Sequence, residues 1–274
     1  MQLINPENYP SVRALFKELE VSHALVEALF DGNLQAKIFT ERGSNPQTGM
    51  IVYKSRVLIC GNASLPGFDE RLKQLFTETL IPAHKAAGQD AFLFCFSDPA
   101  WKAVLENAFS EYTLYHGERQ YYETTDFQST PGLPLPDGFS LRLITPEFMA
   151  SDIAGLDQIH EEMCSERTSI EDFLAHSFGL CPVYENEIAG WCMSEYNTGS
   201  RCEIGIATAE KHQRKGIATL AAKAFLAESH RRGITRVGWD CWKRNIASAA
   251  SARKAGLALV EEYPAVVIVL SAKE

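Results

Sequence analysis

The sequence predicts an α/β protein of the α+β mixed-sheet kind, with helices on both faces of the sheet. Three observations carry this. The carboxy-terminal half reads in the order β-α-α-β-β-β-α-β-α-β-β, which is not the strict βα alternation that builds a doubly wound parallel sheet. A break at Pro131-Gly132-Leu133-Pro134-Leu135-Pro136-Asp137-Gly138 forbids both a helix and a central strand. Before that break, the amino-terminal half closes on a helix, a strand, a helix and a strand, as the second half does.

The 274 residues suffice for two compact units. The break divides them into an amino-terminal α/β domain (1–130), a linker (131–138) and a second domain (139–274). In the second domain Phe139–Ile144 reads as a strand. Pro146 to about His176 reads as two helices, broken near Ser165–Ser169, where Thr168 and Glu171 have capping-box spacing. Cys181–Tyr184 and Ile188–Tyr196 form a hairpin around Glu185-Asn186-Glu187, and a turn at Asn197–Ser200 leads into the strand Cys202–Thr208. A long helix from about Lys215 to Arg232 ends at Gly233, a C-cap position. The strand Arg236–Cys241, the helix Ile246–Ala255 closed by Gly256, and the strands Leu257–Val260 and Val266–Leu270 complete the chain.

In the first domain Ala36–Thr40 and Met50–Cys60 read as strands, and Phe68–Ala87 as a helix ended by Gly88. Ala91–Phe96 is a strand, Pro99–Phe109 a helix and Tyr112–Tyr122 strand-like. Gly88 and Gly233 mark the same step, at an offset of 145 residues. The amino-terminal half therefore reads as a degenerate repeat of the second.

Hydrophobic residues make up 46% and charged residues 22%, the balance of a globular chain, and the net charge is -9. Such a chain has no general attraction to nucleic acid or to an anionic membrane, so neither is expected as a partner. The seven cysteines are scattered and form no CxxC pair, which fits buried reduced thiols better than a disulfide framework or a metal site. No metal is expected. The amino terminus, Met1 to Pro6, has neither a basic n-region nor an apolar h-region, and no apolar run reaches membrane-spanning length, so the expected location is cytoplasmic.

The chemistry is concentrated between Cys202–Thr208 and the long helix, in Gln213-Arg214-Lys215-Gly216-Ile217-Ala218. First-turn amides of a helix have no intrahelical partner, and with the positive end of the helix dipole they form an anion site. Gly216 lets the backbone approach a phosphate closely, and the small Ala218 leaves room for a pyrophosphate. A basic helix start that merely caps surface charge is the alternative.

Ile206-Ala207-Thr208 followed by Gln213-x-x-Gly216-x-Ala218 resembles the acyl-CoA-binding motif of the GNAT acyltransferases. Asn245-Ile246-Ala247-Ser248, followed by Lys254-Ala255-Gly256-Leu257, is similar to that family's Asn-x-x-Ser and Lys-x-Gly-Phe segments, with Leu257 where an aromatic usually stands. The resemblance covers residues 139 to the end and implies the GNAT fold there, with the amino-terminal half a degenerate GNAT-like tandem copy. In that copy Asn62–Arg71 replaces the motif, and Asp69 suits a helix N-cap and would repel a phosphate. The two-part arrangement also resembles, more loosely, bacterial acetyltransferases of the zwittermicin A resistance type.

The resemblance implies an N-acetyltransferase that uses acetyl-CoA as acyl donor. Backbone groups of Ile206, Ala207 and Thr208 would pair with the pantetheine arm. The amides of Arg214, Lys215, Gly216, Ile217 and Ala218 would cradle the pyrophosphate beside Gln213. Asn245 would hydrogen-bond near the pantetheine or cysteamine end, in the gap where the strands 202–208 and 236–241 splay apart, and Ser248 is a further cofactor-binding candidate. The chemistry would be direct attack of a primary amine of a small molecule on the thioester. Glu203 is the candidate base, with Glu195 on the neighbouring strand as the alternative. A carboxylate that ionises near ~4.3 when exposed must be buried to serve at neutral pH. A carboxylate at a strand edge, facing water or pairing with Arg201, is the other reading of each. Alternation puts Glu203, Gly205 and Ala207 on one face.

Many family members carry a tyrosine seven residues after the motif asparagine, to protonate the thiolate. Here that position is Ala252, which leaves Ser248, Ser251, Tyr263 or water. Glu161, Glu162 and Glu166 in the first helical region suit a cationic acceptor, or else form a solvated acidic face. His160 reads as structural. A non-catalytic acyl-CoA-binding module and a protein-directed acetyltransferase remain as alternative functions, and both monomer and homodimer are open.

Overall fold

The computed structural model describes residues 1–43, 45–127 and 134–272. The chain forms two compact units that do not follow its linear halves. The first comprises Met1–Arg119, Trp242–Arg244 and Glu262–Glu274, and the second Gln120–Cys241 and Asn245–Glu261. The end of the strand Tyr112–Thr124 therefore belongs to the second unit, and most of the last strand, Ala258–Ala272, to the first. Of the expected linker, residues 131–133 lie outside the described residues.

The first unit opens with short helical turns between Pro6 and Phe30, a region that carried no sequence expectation. Pro6 and Pro10 sit in the first turns of two of them, where a missing N–H costs nothing. The strands Lys37–Thr40, Thr48–Tyr53 and Arg56–Gly61 form an antiparallel meander. Ala91–Cys95 runs parallel to the last of these and pairs antiparallel with Ala265–Val269. The expected single strand Met50–Cys60 is thus a hairpin, turned at Lys54, whose φ is +49°. Lysine carries no turn signature, so the turn was hidden. The helical run Phe68–Ala86 includes a π turn at Phe76–Leu80 and packs with Trp101–Ala108 on one face. Its centre is aromatic, with the Phe76 ring 5.1 Å from both Phe92 and Phe109.

The second unit has the strands Phe139–Leu143, Gly179–Tyr184, Gly190–Glu195 and Arg201–Thr208, each antiparallel to its neighbour in that order. Arg236–Trp242 adds in parallel beyond Arg201–Thr208. Two faces follow from alternation along these strands. Cys202, Ile204 and Trp239 pack under Ala221, Phe225 and Ala249 of the helices Ile217–Arg231 and Ile246–Ala255. Cys181, Val183 and Met193 pack under Ile159, Met163 and Phe173 of the helices Leu156–Glu166 and Ile170–His176. Helices on both faces of a mixed sheet are what the element order predicts.

Both units use one strand order. In the first it is 37–40, 48–53, 56–61, 91–95 and then the carboxy-terminal strand; in the second it is 179–184, 190–195, 201–208, 236–242 and then the strand Tyr112–Thr124. Ala91 and Arg236 open corresponding strands 145 residues apart, and Trp101 and Ile246 open corresponding helices at the same offset.

Several element boundaries differ from expectation for local reasons. The region 146–176 holds three helices, because Gly155, in the left-handed conformation, restarts the chain at Leu156. The capping box sits one residue later than expected, with the Ser169 hydroxyl accepting from the Asp172 amide and the Asp172 carboxylate accepting from the Thr168 amide. The two final strands are one, since Pro264 falls just before Ala265, where pairing with Cys95 begins, and so removes no ladder bond there. The N-cap before Phe68 is Gly67, not Asp69.

Candidate active site

The parallel register between Arg201–Thr208 and Arg236–Trp242 runs Arg201↔Arg236, Cys202↔Val237, Glu203↔Gly238. Among the described residues it goes no further, although both strands continue. On its other side the strand stays paired throughout, from Glu203↔Glu195 to Thr208↔Gly190. From Ile204 to Thr208 one edge therefore lacks a strand partner. Glu203 stands at the vertex where the strands part.

Glu203 is only 1% exposed, so the reading of a water-facing edge carboxylate does not hold for it. Directly opposite, Glu195 points to the same face, and its carboxylate lies over Gly205: a Cβ at that glycine would come within 2.1 Å of Glu195 Oε1. Helix Leu156–Glu166 extends this acidic wall. Glu162, Glu166 and Glu195 each bring an oxygen within 4.8 Å of the others'. Arg201, two residues before Glu203 on the same face, is equally buried.

At the far end of the same strand a short 3-10 turn, Glu210–His212, leads into the loop that starts the long helix. Arg214 takes a φ of +61° and Gly216 one of +79°. Gly216, not Lys215, is the boundary residue: it is the N-cap of Ile217–Arg231, no side chain caps it, and no acidic residue lies in the first turn. An uncapped first turn with basic neighbours and exposed Gln213, Arg214, Lys215 and Gly216 is a fit for an anion. The Gln213 side chain anchors the loop by donating to the Thr208 carbonyl at 3.2 Å. Lys211 is committed to Glu187 at 2.6 Å, whereas the Lys215 ammonium lies 5.8 Å from the Phe139 ring and 5.9 Å from the Tyr184 ring.

The corresponding loop of the first unit keeps the backbone and inverts the charge. Gly67 is a left-handed N-cap like Gly216, but Asp69 and Glu70 occupy the first turn. On the face where the second unit opens its acidic wall, the first is filled: a Cβ at Gly49 would meet Leu15 and Phe16 side chains at 2.7 Å.

A family model for GNAT acetyltransferases matches residues 13–266, across both units. The chain belongs to the GNAT acetyltransferase family. Solved structures of the same fold include a GCN5-related N-acetyltransferase-like protein from Streptococcus suis, at 17% identity and a TM-score of 0.71, covering 96% of this chain and 98% of that one. A GCN5-related N-acetyltransferase from Sphaerobacter thermophilus aligns at 15% identity and a TM-score of 0.66, over 100% of this chain and 96% of its own. A tandem GNAT protein from the clavulanic acid biosynthesis pathway aligns at 12% identity and a TM-score of 0.57, over the full length of both chains. A search of curated protein sequences finds no match. The chain is thus an N-acetyltransferase by family and a tandem GNAT protein by architecture.

The second GNAT segment is placed as follows. The Asn245 side chain N-caps Ile246–Ala255, its Oδ1 accepting from the Ser248 amide at 3.1 Å. The Ser248 hydroxyl accepts from the buried Trp239 indole at 2.9 Å. The Asn245 side chain is therefore tied to the helix, and Ser248 ties the helix to the strand Arg236–Trp242. Ala252 is fully buried, and the Ser251 hydroxyl is turned back onto the Ala247 carbonyl. Tyr263 lies in the first unit, edge-on to His23. A tyrosine that no motif marks, Tyr121, brings its hydroxyl over Gly238, the strand partner of Glu203. No helix among the described residues is long and apolar enough to cross a membrane.

Proposed function

We propose that this protein transfers acetyl from acetyl-CoA to a primary amine of a small molecule by direct attack at the strand vertex of the second unit. The observation that carries this reading is the joint placement of Glu203 where the two strands part and of the uncapped Gly216 helix start at the end of the same strand.

Acetyl-CoA would lie along the open edge Ile206-Ala207-Thr208. The first-turn amides from Arg214 to Ala218 would hold its pyrophosphate, with Gln213 and the basic side chains of Arg214 and Lys215 at its rim. Asn245 and Ser248 fix the helix and strand that border the thioester end. Glu203 accepts the ammonium proton of the incoming amine, directly or through water, and Glu195 with Glu162 and Glu166 draws a cationic acceptor to the wall. The amine nitrogen then attacks the thioester carbonyl, and as the C–S bond breaks the proton that the nitrogen must lose passes through water to the departing CoA sulfur, so that the amide and the CoA thiol are the products. The first unit, with its acidic loop and filled face, takes no acyl-CoA.

The test is calorimetric titration of acetyl-CoA into the wild type and Gly216→Asp, followed by CoA release across a panel of polyamines, aminosugars and peptides. Binding lost in the variant and turnover on small amines support the reading. Binding without CoA release on any amine would mean an acyl-CoA-binding module, and turnover on peptides alone a protein-directed enzyme.

A further inference from the structure

Tyr121 is fully buried, and its hydroxyl is held from two sides: it accepts from Arg201 Nη2 at 3.0 Å and donates to Glu123 Oε2 at 3.1 Å. Arg236 Nε donates to the same Glu123 oxygen, and the Arg201 guanidinium lies 5.9 Å from the Tyr121 ring centre. The place is made by a missing side chain. A Cβ at Gly238 would come within 2.3 Å of the Tyr121 hydroxyl, and Gly238 is the strand partner of Glu203. The hydroxyl thus sits over the residue beside the candidate base, at the point where the sheet opens.

We propose that Tyr121 is a positioning residue for Glu203: its hydroxyl holds the Arg201 guanidinium toward Glu123 and so limits the positive charge that reaches the Glu203 carboxylate. The inference rests on the reading of Glu203 as the base. Burial first, and then the negative charge of Glu203, push the phenol ionisation of Tyr121 well up, so the hydroxyl stays neutral. A neutral phenol that is wholly buried and spends its proton on Glu123 does not protonate the leaving thiolate. Its effect on the reaction runs through Arg201.

The charged groups on this face among the described residues include Arg201 on the strand of Glu203, Glu195 on the strand Gly190–Glu195, Glu123 and Arg119 on the strand of Tyr121, and Arg236 and Asp240 on either side of Gly238; Glu162 and Glu166 face Glu195 from helix Leu156–Glu166. Removal of the Tyr121 hydroxyl takes away one acceptor from a buried guanidinium. An arginine inside a protein does not deprotonate, so it turns to the remaining carboxylates, Glu203 and Glu195 among them. More positive charge at Glu203 favours its ionised form and weakens it as a base.

The experiment is a carboxyl-carbon NMR titration of protein labelled with 13C-glutamate, with the Glu203 signal assigned by Glu203→Gln. It is run on the wild type, Tyr121→Phe and Gly238→Ala, alongside CoA release at each pH. Gly238→Ala displaces the tyrosine while keeping its hydroxyl, and it carries the test if Tyr121→Phe does not fold. In both variants the Glu203 midpoint is expected to move down by roughly one pH unit. The acid limb of turnover should move with it, turnover should fall about tenfold, and acetyl-CoA affinity should be unchanged. A folded variant with lowered thermal stability but an unmoved Glu203 midpoint overturns the proposal, since a merely structural tyrosine behaves that way. If the wild type releases no CoA with any amine, the base assignment falls, while the midpoint comparison still decides whether Tyr121 acts on Glu203.

Discussion

Glu195 and Glu203 stand opposite one another on adjacent antiparallel strands and point to the same face, the first half-buried and the second nearly inaccessible. Their environments separate their roles. Under the proposed function the proton acceptor at the vertex is Glu203, beside the parting strands, whereas Glu195 lies in the acidic wall with Glu162 and Glu166.

Glu203→Gln is therefore expected to lower kcat by roughly 10²- to 10⁴-fold, the usual worth of a general base, with acetyl-CoA affinity unchanged. Glu195→Gln should act mainly on KM for a cationic acceptor. Gly205→Ala makes an independent check, because its Cβ would collide with the Glu195 carboxylate and drive it from the wall. Steady-state kinetics of the three variants separate the roles; equal losses of kcat in Glu195→Gln and Glu203→Gln would overturn the division.

Within the protein, Gly216 answers to conformation and charge and not to a neighbouring side chain. A Cβ there meets nothing within 4 Å, yet its φ is +79°. Gly216→Ala should thus cost about 1 kcal/mol of stability from backbone strain alone. Acetyl-CoA binding should survive, weakened. Gly216→Asp adds a negative charge at the helix start and should abolish binding. Calorimetry and thermal melts on both variants distinguish strain from repulsion.

What the sequence made legible is what a local pattern encodes. The Gln213-to-Ala218 loop, the closing glycines Gly233 and Gly256, and the alternation that puts Glu203 with Gly205 all rest on neighbours in the chain. Tyr121 could not be read this way. It reaches the vertex only because the end of the strand Tyr112–Thr124 joins the second unit, a pairing between residues more than a hundred positions apart. One signal was present: Gly238 is a glycine inside a strand, which marks close approach of another group. The early helical turns were missed because their pieces are short, and the hairpin at Lys54 because its turn lacks glycine or asparagine.

Trp239 and Ser248 hold the helix of the second GNAT segment to its strand. The indole is 2% exposed and donates to the Ser248 hydroxyl at 2.9 Å. Ser248→Ala leaves a buried N–H unmatched and should cost roughly 1–3 kcal/mol, read as a lower midpoint in urea with an unchanged m-value. Since Asn245 caps the same helix, Asn245→Ala should cost about 1 kcal/mol by a separate route, and the two losses should not simply add.

The base of the anion loop carries a pH dependence. His212 is 4% exposed, its ring edge-on to Phe139 and tilted against Tyr184, with its Nδ1 3.5 Å from the Lys215 ammonium. Burial, then Lys215 and Lys211, push its ionisation down, against a smaller opposing pull from Glu187. The sign follows from proton counting. Below its ordinary value of about 6.5 the unfolded chain binds a proton that the folded histidine refuses, so stability rises with pH in that window. The contribution is complete above about pH 7 and is lost as pH falls from 6.5 toward the depressed folded value. Urea midpoints of the wild type between pH 5 and 8 should therefore fall on the acid side, and His212→Phe should flatten that limb. A protonated His212 beside Lys215 would also strain the loop that is proposed to hold the pyrophosphate, so acetyl-CoA affinity should drop over the same pH range in the wild type and less in His212→Phe. An acid limb that persists unchanged in the variant would place its origin in other groups.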